Sequence, residues 1–325
     1  MELLRSFTKA EPAMPSTFGP QACPFEARLA EVLIENAPLH AHLNHRLSVV
    51  ISEAVANPGG MIRAELAYGV ATVKGLPKRS CEAFACAVEY FHTASLMMDD
   101  LPAMDDSMER RGRICTHLLH GEGYAILGAL ALITKAYALI AEAIAPASSV
   151  NQLRAHRFVE GCLGTAGLIN GQAQDLSGDA GTSSPRAAAV ALGKTAPMIR
   201  LALGLPSILA GRITENDRTL KALSIYWGLL YQGTDDLIDA MLSVVKSGKT
   251  SGQDALLGRP TVIRQLGFSG AIRYLTRLLR LAEGRLALLF ERNAAFHFLG
   301  GFQEAFRLRL AEASGGMPRP SEDGP

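Results

Sequence analysis

An all-α fold is predicted by three observations on the sequence. Apolar residues recur at three and four positions along most of the chain, alternating β-branched runs are absent, and Gly and Pro fall between the periodic stretches. The helical stretches run over 25–56, 61–73, 79–99, 122–144, 149–175, 186–211 and 216–242, with two or three more between 262 and 313. The breaks are Asn57-Pro58-Gly59-Gly60, Gly75-Leu76-Pro77, Pro102, Gly178 to Pro185, and Gly248 to Pro260.

The chain has 325 residues, enough for a large core, and no Pro/Gly/Ser linker or composition shift divides it. One helical domain is expected over 21–313. The polar tail 1–20 has no apolar core of signal-peptide length, and the Gly- and Pro-rich tail 314–325 is expected to be disordered. The most apolar segment, 123–145, is interrupted by Lys135 and Glu142 and reads as a buried helix, not a membrane span. Five cysteines, Cys23, Cys81, Cys86, Cys115 and Cys162, match no metal or redox spacing, which suits buried thiols in a reducing cytoplasm. Lys and Arg (32) nearly balance Asp and Glu (31), so no global field favours nucleic acid or an anionic membrane. Charge must be read by position.

Two positions stand out. DDLPAMDDSMERRG (99–112) places Asp99, Asp100, Asp105 and Asp106 just before Arg110 and Arg111, at the end of an apolar helix. YQGTDDLIDAM (231–241) places Asp235 and Asp239 one turn apart on a helix, with Asp236 beside them among apolar neighbours. Like charges at that spacing repel, and the C-terminal end of a helix is already negative. A cation should compensate. Paired hard oxygen ligands suit Mg²⁺, which takes one or two carboxylates and leaves its other positions to water and substrate phosphates. Either motif alone also fits a solvated acidic patch; two together favour the metal.

These motifs resemble those of the head-to-tail trans-isoprenyl diphosphate synthases, and the pattern is most like a bacterial geranylgeranyl diphosphate synthase. FHTASLMMDDLPAMDD resembles the first aspartate-rich motif, with His92 upstream, and RRG at 110–112 has the family's spacing after it. INGQAQDL (169–176), GKTA (193–196), YQGTDDLID (231–239) and GKTSGQD (248–254) resemble the remaining substrate motifs, in the same order. The resemblance covers about residues 25 to 290. It implies a single large helical bundle around a central active-site cavity, a homodimer joined around 122–145, and about three Mg²⁺ ions per site.

The activity it implies is ionisation of an allylic diphosphate (dimethylallyl, geranyl or farnesyl), attack by the double bond of isopentenyl diphosphate, and loss of a proton. By similarity, Asp99 and Asp105 would carry two ions and Asp235 a third, while Asp100 and Asp239 would hold the ions' ligands or waters in place. Arg110, Lys194 and Lys249 would grip the allylic diphosphate, and Arg63, His92 and Arg111 that of isopentenyl diphosphate. Gln172, Thr195 and Gln232 offer neutral lone pairs to the carbocation, although each could equally hydrogen-bond within a core. His117 follows the family's pattern and reads as structural support, and His40, His42 and His45 read as surface residues of an early helix.

One departure touches the second substrate. Relatives read GGKRxRP where this chain has PGGMIRA, so Gly60 and Met61 stand where basic residues are usual. Gln253 and Arg259 are smaller departures. For product length, position 94 lies five residues before Asp99, about 7.5 Å along a helix. Relatives that stop at fifteen carbons typically carry an aromatic ring there; Ala94 and Ser95 are small, and Phe91 one turn further would form the floor. A twenty-carbon product is expected, with a fifteen-carbon or longer product as the alternative. Other readings are a terpene cyclase, which usually has a wider second metal motif, a head-to-head synthase, which would lack the Arg110–Arg111 and Lys194–Thr195 pairs, and a non-catalytic partner subunit.

Overall fold

The apolar periodicity over 25–56 forms two helices, α1 (Glu26–Glu35) and α2 (His45–Ala56), and Pro38 and Asn44 explain the cut. Pro38 has no N–H to continue α1. Asn44 starts α2 as a side-chain cap, accepting from the N–H of Arg46 at 3.0 Å and of Leu47 at 3.2 Å. His40 and His42 therefore lie in the connecting loop, and both are exposed, as is His45. The computed structural model describes residues 26–176, 192–247 and 261–315. Cys23, Lys249, Gln253, Arg259 and the side chain of Asp239 lie outside the described residues.

The described helices gather into two units. The first holds α1, α2, α3 (Ile62–Val73), α4 (Lys78–Asp99), a two-residue hairpin β1 (Glu109–Arg110) and β2 (Arg113–Ile114), α5 (Thr116–His120), α6 (Glu122–Ile144) and the first part of α7 (Ser149–Leu163). Pro77 opens α4 from the N-cap position. This helix is buried on nearly every side from Cys81 to Ala94, with α6 and α3 as its main neighbours. Its small residues Ala83, Ala85 and Ala87 allow that enclosure. At Gly128 of α6 a Cβ would stand 2.7 Å from Val50 Cγ1, so the small residue sets that approach.

α6 answers the question of segment 123–145 in two halves. It is long and apolar enough to cross a membrane by composition alone. One face, with Ala125, Ala129, Leu132, Ala136 and Ile140, is buried, while Leu127, Leu130 and Tyr137 on the other are about half-exposed.

The second unit holds the rest of α7, α8 (Leu168–Leu176), the start of α9 (Ala196–Leu209), α10 (Glu215–Ser247), α11 (Val262–Arg292), a 3-10 turn (Ala294–Phe296) and α12 (Leu299–Gly315). The stretch predicted over 149–175 is broken at Gly164–Gly167 into α7 and α8. Trp227 is fully buried; its Nε1 donates to Gln303 at 2.8 Å, and its ring meets Phe302 edge-on. Cys81, Cys86, Cys115 and Cys162 are free, buried thiols.

Candidate active site

The acidic stretch becomes a turn closed by its own main chain. After α4 the N–H of Asp105 donates to the carbonyl of Asp99 at 2.8 Å, that of Asp106 to Leu101 at 3.1 Å, and that of Ser107 to Asp100 at 3.2 Å. These bonds satisfy carbonyls that the end of a helix leaves open. They also fold Asp105 back beside Asp99, both half-buried, while Asp106 is exposed with φ 50°. Asp100 turns inward: its Oδ1 accepts from Arg110 Nη2 at 2.6 Å and Nε at 2.9 Å. Burial alone would lower the Arg110 pKa, but the bond to Asp100 and the charges of Asp100, Asp105 and Asp99 outweigh it and raise it. Arg110 thus sits in the field of the whole cluster.

Arg63, from the first turn of α3, and Arg111, from the hairpin turn, converge on His92 of α4. Arg63 Nη1 lies 3.2 Å and Arg111 Nη2 3.4 Å from His92 Nε2. Two guanidinium donors at one ring nitrogen require it to accept, so the ring is neutral with its proton on Nδ1. The pKa agrees, lowered well below the usual value by burial and then by Arg63, Arg111 and Arg110. Arg111 has φ 55° and Gly112 φ 73°, a left-handed pair that makes the tight hairpin turn. Its Nη1 donates to the carbonyl of Asn57 at 3.2 Å.

The PGGMIRA segment wraps this guanidinium. At Gly59, with φ 75°, a Cβ would stand 2.3 Å from Arg111 Cζ. Met61, left-handed at φ 45°, is buried at the N-cap of α3, and Gly60 is half-exposed. Gly59→Ala is therefore expected to cost about 1 kcal/mol of stability or more, read as a lower Tm. It should also weaken diphosphate binding, measured by titration calorimetry, because the Arg111 guanidinium must move.

In the second unit a glycine contact sets the geometry. A Cβ on Gly171 of α8 would stand 2.0 Å from the carbonyl carbon of Gly193, so the segment before α9 lies directly on α8. That contact brings Lys194 Nζ to 2.7 Å from Asp175 Oδ2, one helical turn beyond Gly171. Next to it Thr195 Oγ1 donates to Gln232 Oε1 at 3.0 Å, and Gln232 Nε2 donates to Asp236 Oδ1 at 2.9 Å. Asp236 is buried, and its Oδ2 accepts from the N–H of Val262 at 3.2 Å, at the positive start of α11. Asp235 pairs with Arg309 of α12 at 2.7 Å, whose guanidinium lies over the Tyr231 ring at 5.4 Å from its centre. Gln172 on α8 is half-buried.

The polyprenyl synthetase family model matches residues 44–273. This chain belongs to the polyprenyl synthetase family. A geranylgeranyl diphosphate synthase of Pantoea ananas is 37% identical over 236 residues, covering 71% of this chain and 74% of that relative. The large subunit 2 of a heterodimeric geranylgeranyl pyrophosphate synthase of Arabidopsis thaliana is 31% identical over 262 residues, covering 79% and 68%. A geranyltransferase structure of Helicobacter pylori, complexed with magnesium and isoprenyl diphosphate, matches with TM-score 0.70 at 24% identity, covering 91% of this chain and 99% of that one. That likeness shows the fold, and the all-α helical architecture expected from the sequence is borne out.

As a polyprenyl synthetase, the chain is a prenyltransferase. Among the described residues, no group of three or more His, Cys, Asp or Glu side chains converges as a metal site. Mg²⁺ does not require one, since one or two carboxylates suffice when substrate phosphates supply the rest. The half-buried carboxylates of Asp99 and Asp105, with only hard oxygen donors, fit that ion. Three charged neighbours of these residues escape the sequence reading. Asp175 lies inside INGQAQDL, and its pairing with Lys194 needed the Gly171–Gly193 contact to be known. Arg309 is 74 residues from its partner, with no motif around it. Glu89 carried the clearest signal, a lone charge in an apolar stretch one turn before His92.

Proposed function

We propose that this prenyltransferase condenses isopentenyl diphosphate with an allylic diphosphate (dimethylallyl, geranyl or farnesyl) to form geranylgeranyl diphosphate, using Mg²⁺ held by Asp99 and Asp105. The observation that carries the reading is the closed turn: the Asp105–Asp99 main-chain bond brings two half-buried aspartates together near Arg110, at the negative end of α4.

In the reaction the allylic C–O bond breaks, leaving an allyl cation and diphosphate. The double bond of isopentenyl diphosphate attacks the cation, and loss of a proton restores a double bond in a chain five carbons longer. The chemistry magnesium supplies when bound is electrostatic neutralisation of charge developing on the leaving diphosphate. Arg110 and Lys194 would bind that diphosphate, with Asp100 and Asp175 as the carboxylates that orient them. Asp235 would contribute a further metal carboxylate, released from Arg309. The Thr195–Gln232–Asp236 chain fixes the Thr195 and Gln232 side chains, whose neutral oxygens suit a nearby carbocation because neither is a base. The departed diphosphate would accept the proton.

Arg63, His92 and Arg111 would bind the diphosphate of the second substrate, which does not leave. Gly60→Lys, restoring a cation usual in relatives, is expected to lower the KM for isopentenyl diphosphate about tenfold, for a charge-assisted bond of about 1.5 kcal/mol. The KM of the allylic primer should stay nearly unchanged. Equal falls in both would show that PGGMIRA does not serve the second substrate.

The half-exposed apolar face of α6, with Leu127, Leu130 and Tyr137, is proposed to be covered by a second copy of the chain. Light scattering should give a dimer's mass, and a monomer's would overturn this. The four free buried thiols support a cytoplasmic location. The function itself is tested by turnover of isopentenyl diphosphate with each allylic primer in turn, expected with Mg²⁺ and lost in excess chelator.

A further inference from the structure

One turn below the Arg63–His92–Arg111 cluster, α4 encloses a carboxylate that the mechanism does not use. Glu89 precedes His92 by three residues and so shares its face of the helix. It is 1% exposed, and neither of its oxygens has a hydrogen-bond partner. A buried, unpaired carboxylate is rare, because the charged form loses its hydration and gains nothing in return. Glu89 keeps some compensation from two fixed charges, Arg111 of the hairpin and Arg63 of α3. On its own helix it faces His92 and the Cys86 thiol, and Lys135 of α6 acts on Cys86. Burial drives the Glu89 pKa up to about 7, against the pull of Arg111 and then Arg63.

The two arginines that support the Glu89 charge are those assigned above to the diphosphate of isopentenyl diphosphate. A diphosphate bonding to them brings negative charge beside Glu89 and takes up the positive field that the carboxylate relied on. Both effects favour the neutral acid. We propose that Glu89 is the proton-linked counter-charge of this binding site: its charge offsets those of Arg63 and Arg111 in the empty protein, and it takes up a proton from solvent when isopentenyl diphosphate binds. The inference rests on the assignment of this cluster to the second substrate. No bond other than O–H is formed, and the proton comes from the buffer.

The linkage has a sign. Below the pKa of the empty protein Glu89 is already protonated, and binding takes up nothing; above it, binding must first neutralise the carboxylate. With the empty-site pKa at about 7, the penalty at about pH 8 is roughly tenfold in affinity. Glu89→Gln mimics the neutral acid and removes that penalty. His92, neutral in the empty site, is the other group that could take up a proton, and the glutamine variant separates the two.

The test is calorimetric titration of the whole protein with isopentenyl diphosphate, without metal, in buffers of different ionisation enthalpy. At about pH 8 the wild type should take up close to one proton per ligand bound, falling to little at about pH 6. Glu89→Gln should take up none. Its affinity should exceed the wild type's roughly tenfold at about pH 8 and equal it at about pH 6. Proton uptake undiminished in Glu89→Gln would move the linkage to His92 and overturn the proposal. Binding without uptake in the wild type would overturn it even if the variant did not fold. An absence of binding in the wild type would instead reject the assignment of the cluster to this substrate.

Discussion

Asp99→Ala is expected to reduce turnover about a thousand-fold or more, on the scale seen when transition-state charge stabilisation is lost. Helical content and Tm should hardly change. The turn is closed through the Asp99 carbonyl and the Asp105 N–H, both of which alanine keeps. Asp235→Ala should behave alike. It gives up an ion pair with Arg309 that is partly exposed, worth no more than about 1 kcal/mol of stability. The Arg309 guanidinium retains the Tyr231 ring face. Initial rates with Mg²⁺ and thermal melts check both variants. Full activity in either would remove that carboxylate from the metal site.

The second large effect concerns product length. Ala94 is fully buried on α4, about 7.5 Å from Asp99 along the helix axis. Phe91 lies one turn further, 6% exposed, with its ring set edge-on against Tyr137 of α6 at 4.9 Å. An edge-to-face pair holds both rings in place, so Phe91 is proposed as the floor, at about 12 Å. Ala94→Phe should raise that floor by a turn and change the main product from twenty carbons to fifteen. Phe91→Ala should lengthen it. Because Tyr137 braces the ring, Tyr137→Ala should lengthen it too, though less. Chromatographic sizing of the extracted products reads all three. An Ala94→Phe enzyme with an unchanged main product would show that α4 does not measure the chain.

What could be read from the sequence was whatever rests on local spacing. The helix from 79 to 99 was expected within one residue of α4, because Pro77 marks its start and Asp100 with Pro102 its end. The acidic stretch was legible as a concentration of charge, since its residues are neighbours in sequence. The cut at Asn44 was not, because apolar periodicity continues on both sides and only the cap bonds reveal a boundary. The hairpin at 109–114 was also missed: strands of two residues are too short to carry an alternation, and Arg111 adopts a left-handed φ that its residue type does not advertise. Partners distant in sequence were illegible altogether. Asp100 with Arg110 could have been guessed, whereas Lys194 with Asp175 depends on two glycines in contact, and Asp235 with Arg309 on the packing of α10 against α12. Glu89 could be seen as an odd charge, but its two empty oxygens could not.

The central claim is that the acidic turn, the cation cluster and the small residue at position 94 belong to one enzyme that extends allylic diphosphates to twenty carbons. Its most direct test is to incubate the purified chain with isopentenyl diphosphate, farnesyl diphosphate and Mg²⁺, and to size the dephosphorylated product by mass spectrometry. Geranylgeraniol is expected as the main alcohol, with no product when Mg²⁺ is chelated. Recovery of farnesol alone, with isopentenyl diphosphate unconsumed, would contradict it.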